Sequence, residues 1–167
     1  MIAAVRKLEE VFGEIARTRM ADVPIVNPAV RVEAIGFREW EGRRIGVLVT
    51  PWTVNLVLLP GAQPLAALGL DEKTVWTFPS GAYHFMGLNE PALGTCHSCP
   101  LISPVPFATH EDAVAVAHEI MAALFEAPKR DDDLAAKIED ARIKGEAVSQ
   151  QQMSRRGFLR LPFSGSW

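Results

Sequence analysis

Cys96-His97-Ser98-Cys99 is the one cluster in this 167-residue chain with the ligand types of a redox or metal site. Thiolates and imidazoles bind zinc or iron, and two thiols at this spacing can cycle as a disulfide. The set is incomplete for either task. A closed zinc or rubredoxin-type iron site takes four ligands, but there are only two cysteines, so His84, His97, His110 or His118 would have to be folded in. A reactive dithiol also needs a helix N-terminus, whereas Pro100 and Leu101-Ile102-Ser103-Pro104 read as a strand entering a loop. The expectation is a pair of small, partly buried structural thiols. A metal or redox role for Cys96 and Cys99 is the alternative.

A second motif lies far along the chain. Ser154-Arg155-Arg156-Gly157-Phe158-Leu159-Arg160 has the twin-arginine pattern that marks folded bacterial proteins for export. An export signal is N-terminal and continues into about 7–15 apolar residues and a small-residue cleavage site. None of these follows Arg160, so a different role is expected. Between Ala147 and Trp167 there is no acidic residue, while Arg155, Arg156 and Arg160 are interleaved with Phe158, Leu161, Phe163 and Trp167. Residues 146–167 are therefore expected to form a mobile, basic and aromatic tail beside a single domain over 1–145.

Other chemistries lack their signatures. The glycines form neither a phosphate-binding loop nor a dinucleotide fingerprint, and no nucleophile elbow or zinc-protease motif is present. Glu39, Glu41, Asp71, Glu72 and Glu90 read as solvated loop and strand-edge acids, so no catalytic residue and no cofactor is expected. A net charge of −3 gives no general attraction for nucleic acid. The longest apolar run, Ile45 to Pro60, is broken by Thr50, Pro51, Thr53 and Asn55 and falls short of the about 18 residues of a membrane span. Met1 opens directly into a charged, helix-like stretch, so the expectation is a cytoplasmic protein with no leader and no stable membrane insertion.

Hydrophobic residues at 49% and charged residues at 22% suit a packed globular chain. Val5, Leu8, Phe12 and Ile15 recur at helical spacing, which predicts an amphipathic helix over residues 2–20. Val30 to Phe37, Ile45 to Thr50 and Thr53 to Leu59 read as strands, the first two joined through Glu41-Gly42. Thr74 to Phe78 and Ala82 to Gly87 flank Pro79-Ser80-Gly81 as a hairpin, and Gly94 to Ile102 supplies a last strand. Thr109-x-x-Asp112 is a capping box that opens a helix over 109–127, with Val114, Ala117, Met121, Leu124 and Phe125 as its apolar stripe. Asp131 to Lys144 reads as a weakly packed helix. The fold class is α+β: a mainly antiparallel sheet, an N-terminal helix and a C-terminal helix packed on it, with helices on one side only.

Thr50-Pro51-Trp52-Thr53-Val54-Asn55 through Pro60-Gly61 resembles the HybE/HupJ family of [NiFe]-hydrogenase assembly chaperones. Glu14-Ile15-Ala16-Arg17, Met20, Asn27-Pro28 and Val32 agree with it, as do Phe78-Pro79-Ser80-Gly81 with Phe85, and Cys99 to Pro104. The resemblance implies a maturation factor that binds without turnover. Its clients would be hydrogenase precursors, first the small subunit with its twin-arginine signal, with the large subunit and other maturation proteins as further candidates. Some members carry a fused rubredoxin domain, for which this chain has too few cysteines. The expected binding face gathers Trp52, Leu56, Pro60, Phe78, Gly81, Phe85, Cys99 and Ser103, whose rings and prolines offer rigid apolar contact. In that setting Arg155, Arg156 and Phe158 are expected to imitate a client signal and compete for the same groove, on this chain's own body or on a neighbour's.

Overall fold

The computed structural model describes residues 2–69 and 71–127. The helix expected over Asp131 to Lys144, the 146–167 tail, and with it Arg155, Arg156 and Phe158, lie outside the described residues. In chain order the elements are α1 (Ile2–Arg17), β1 (Glu33–Trp40), β2 (Arg43–Val49), β3 (Val54–Leu59), β4 (Lys73–Phe78), β5 (Gly81–Glu90), β6 (Gly94–Ile102) and α2 (His110–Leu124). Six strands form one antiparallel sheet in the order β1-β2-β3-β6-β5-β4.

Local chemistry sets the joints. Glu41 and Gly42 both have positive φ, at 48° and 78°, the left-handed pair that a two-residue hairpin turn requires. Gly36, at φ 70°, lies in the register shift between Ile35 and Arg38, where a Cβ would come within 3.0 Å of Met121. Thr109 caps α2 by accepting the Asp112 amide at 3.1 Å.

The helices lie on opposite faces of the sheet, which corrects the expectation that they cover one side only. Successive strand residues point to opposite faces. Ile45, Val47, Val49, Leu56 and Leu58 pack with Val116, Ala117 and Ile120 of α2. Leu48, Val57 and Leu59 pack with Leu8, Phe12 and Ile15 of α1. β2 is buried from Ile45 onward and β3 throughout, so each central strand buries both of its faces and requires two covers. That signal was present in the sequence, because the run Ile45 to Leu59 is largely apolar instead of alternating. The α2 stripe is also displaced: Ala113, Val116, Ala117, Ile120 and Met121 are buried, while Val114 and Phe125 are only partly so.

The sheet coils strongly. Trp40 of β1 stacks on Phe78 of β4 with ring centroids 4.2 Å apart, although these strands are the two ends of the sheet. The rings join the α2-side core, together with Phe85 and Tyr83.

Candidate functional site

Four of the eight residues expected to form a binding face are core. Leu56 and Phe85 are fully buried, Phe78 and Cys99 nearly so, all in the α2-side cluster. Each large apolar side chain among them contributes about 1.5–3 kcal/mol by leaving water, so none is available to a partner in the folded protein. Gly81, at φ 143°, begins β5. Pro60 follows β3, and its carbonyl accepts from Arg44 Nη1 at 3.2 Å. Trp52 and Ser103 do come together, the Ser103 hydroxyl donating to the Trp52 carbonyl at 3.2 Å.

Around Trp52 the Thr50-Pro51-Trp52-Thr53 block is a locked turn. The Thr50 hydroxyl donates to the Thr53 carbonyl at 2.8 Å and accepts the Thr53 amide at 3.0 Å, while the Thr53 hydroxyl reaches Asn55 and the Ile102 carbonyl. The indole stacks on Phe12 at 6.4 Å and so anchors α1. The block's residue types are explained by architecture.

Cys96 and Cys99 are both free thiols, and they belong to opposite faces of β6. Their separation of three residues is odd, and a strand repeats every two. Cys96 packs in the α1-side cluster and Cys99 in the α2-side cluster. Burial pushes the Cys96 thiol up to about 11 and the Cys99 thiol up to about 12. Both are protonated at neutral pH, and they cannot converge on one ion or one disulfide. Among the described residues no group of three or more His, Cys, Asp or Glu is placed to hold a metal. The alternative built on this pair is corrected accordingly.

The open apolar surface lies elsewhere. α1 covers the β1–β3 part of its face, and the β4–β5 part of that face stays accessible. There Val75 pairs with His84, Thr77 with Ala82 and Lys73 with Met86. Val75 is 49% exposed, Ala82 is exposed, and Met86 and Leu88 are half-buried. β5 then continues past the start of β4, and a cleft of about 300 Å³ opens there, lined by Leu68, Gly87, Leu88, Glu90, Pro91 and Cys96 among others. At its rim Arg19 bonds the Glu90 carboxylate at 2.8 Å. Arg19 is largely exposed, and such surface pairs contribute only about 0–1 kcal/mol, so another guanidinium can replace it cheaply.

A second hollow of about 250 Å³, lined by Ile2, Val5, Arg6, Ala34 and Phe37, carries a cation instead. Of the two, the first combines apolar walls with a carboxylate. The composition of this surface was visible in the sequence as apolar residues at alternate positions of β5. An expectation of helices on one side of the sheet leaves nothing to distinguish Val75, Met86 and Leu88 and makes Glu90 a solvated acid.

Residues 3–161 match the family model described as "[NiFe]-hydrogenase assembly, chaperone, HybE". The chain is 41% identical over 143 residues to "Probable rubredoxin HupJ" of Rhodobacter capsulatus, covering 84% of this chain and 51% of that protein. It thus spans about half the length of that relative. It is 37% identical over 137 residues to "Protein HoxT" of Cupriavidus necator, covering 74% and 76%, and 31% identical over 100 residues to "Hydrogenase-2 operon protein HybE" of Escherichia coli K12, covering 59% and 62%. The solution structure of HybE from Escherichia coli superposes with a TM-score of 0.61 at 25% identity, covering 78% of this chain and 82% of that one.

Proposed function

The chain belongs to the HybE family of [NiFe]-hydrogenase assembly chaperones, and from that membership we propose that it holds a hydrogenase small-subunit precursor by its twin-arginine signal before export. It does so in the cytoplasm, stoichiometrically and without turnover. The large subunit and other maturation proteins are secondary partners.

The observation that supports this reading is the open β4–β5 face ending in Glu90. An arginine-bearing segment followed by apolar residues has the matching polarity: guanidinium on Glu90, apolar side chains in the cleft and along Leu88, Met86 and Val75. Magnitudes favour this division of labour. Association costs at least about 4 kcal/mol in lost freedom. One charge-assisted hydrogen bond, at about 1.5–3 kcal/mol, does not offset that. Three buried apolar anchors at about 1.5–3 kcal/mol each do.

Calorimetric titration with a synthetic small-subunit signal peptide tests the proposal. Saturable binding at one-to-one stoichiometry is expected, weakened about tenfold or more by Leu88→Asp and several-fold by Glu90→Gln. Equal affinity for the precursor with and without its signal would overturn it.

A further inference from the structure

The described chain ends at the edge of the sheet that carries the open face. The Leu124 carbonyl accepts the Ser80 amide at 3.2 Å, and Phe125 packs edge-on to Phe78 at 6.0 Å. α2 therefore ends at the tip of the β4–β5 hairpin, and the 40 residues from 128 onward start from there. The open face runs from that tip to Glu90, a distance of about 30 Å for the length of β5.

We propose that residues 154–160 of this chain occupy the β4–β5 face of their own domain, with a guanidinium of Arg155 or Arg156 on Glu90 and Phe158 and Leu159 against Leu88 and Met86. This rests on the reading of that face as the polypeptide-binding site and assigns its regulation: the segment fills the face until a client displaces it. Reach is no obstacle. Ser154 is 27 positions beyond Ala127, which spans about 40 Å even along a wholly helical path. Charge agrees as well. No acidic residue occurs after Glu146, so three arginines meet no competing carboxylate within their own stretch. Tethering supplies an effective concentration of order millimolar, enough for contacts too weak to form in trans at micromolar concentration. The Arg19–Glu90 pair, exposed on its Arg19 side, is the contact it replaces.

The full chain tests this by comparison with a variant carrying Arg155→Glu, Arg156→Glu and Phe158→Asp. Backbone amide NMR shifts of Val75, His84, Met86, Leu88 and Glu90 should differ between the two proteins. Adding a free peptide of residues 150–167 to the variant at about millimolar concentration, matching the tethered value, should move them back toward the original positions. A client signal peptide should bind the variant about 2–10-fold more tightly than the original chain. Unchanged shifts on this hairpin overturn the intramolecular contact, and shift differences that vanish on dilution assign the segment to a neighbouring copy and overturn it too. Shift differences without client binding to either protein uphold the contact while removing the client reading, so the two fail separately.

Discussion

The indole Nε1–H of Trp76 donates to Nδ1 of His97 at 3.1 Å, reaching across β5 where the partner of His97 is Gly87. That bond fixes the tautomer. With Nδ1 accepting, Nε2 carries the proton and donates to the Ala66 carbonyl at 2.7 Å. One neutral ring, 1% exposed, thus ties the edge strand β4 to the segment that supplies Ala67 and Leu68 to the cleft.

Trp76→Phe keeps an aromatic ring but leaves a buried acceptor without its donor. An unsatisfied buried group costs about 1–3 kcal/mol, so unfolding free energy in urea should fall by that amount, through a lower midpoint at unchanged slope. Because the Ala66 segment loosens with it, signal-peptide affinity should fall as well. A midpoint equal to that of the original protein would contradict the described bond.

Asn27 is the polar hub between the α1–β1 connection and the segment after β6. Its amide nitrogen donates to the carbonyls of Val105 and Phe107, each at 2.8 Å, and its oxygen accepts the Ala29 amide at 2.9 Å. Asn27→Ala removes all three bonds, and at about 1 kcal/mol each the expected loss is about 2–3 kcal/mol in chemical denaturation. Asn27→Asp should be similarly harmful, because a carboxylate cannot donate to two carbonyls.

These hubs show what was legible beforehand and what was not. The six strands, the capped α2 and the Glu41-Gly42 turn followed from period, propensity and backbone chemistry, all of which are local. Which face each helix covers is a question of pairing order. β3 lies between β2 and β6, so the strands whose unbroken apolar run calls for cover on both sides are central, and no local pattern states which helix takes which side. Leu56, Phe78, Phe85 and Cys99 of the expected binding face are buried for a related reason. Aromatic and proline-rich blocks such as Thr50 to Thr53 and Phe78 to Gly81 carry rigid turn and core chemistry, and residue type alone does not separate that from recognition. The surface that is open is marked instead by modest residues, Val75, Met86 and Leu88, whose exposure depends on where α1 stops.

The cysteines give a chemical check on burial. Both thiols are held above the ordinary thiol range, to about 11 and about 12, by desolvation, so at pH 8 neither is a thiolate in the folded protein. Disulfide-exchange reagents should label neither thiol natively and both after denaturation. The same shifts set a pH dependence. The unfolded thiols ionise near pH 9 while the folded ones retain their protons, so their contribution to stability is constant below pH 9 and declines as pH rises from there toward 11–12. Rapid native labelling of Cys96 at pH 8 would place it outside the packed α1-side cluster.

Separating core from binding face calls for paired substitutions on the same sheet. Leu56→Ala removes a fully buried side chain beneath α2 and should cost about 2–5 kcal/mol of stability. Client binding by the fraction that remains folded should be unchanged, since Leu56 touches no open surface. Met86→Asp and Val75→Asp introduce charge on the opposite face, where both residues reach solvent. Surface changes of this kind alter stability by only about 0.5 kcal/mol, although Val75 loses some strand propensity as well. Affinity for a signal-bearing precursor should nevertheless drop about tenfold or more, because each variant replaces an apolar anchor with a group that must be desolvated on docking. The opposite pattern, with Leu56→Ala abolishing binding by folded protein and both aspartates leaving it intact, would move the client to the α2 side of the sheet.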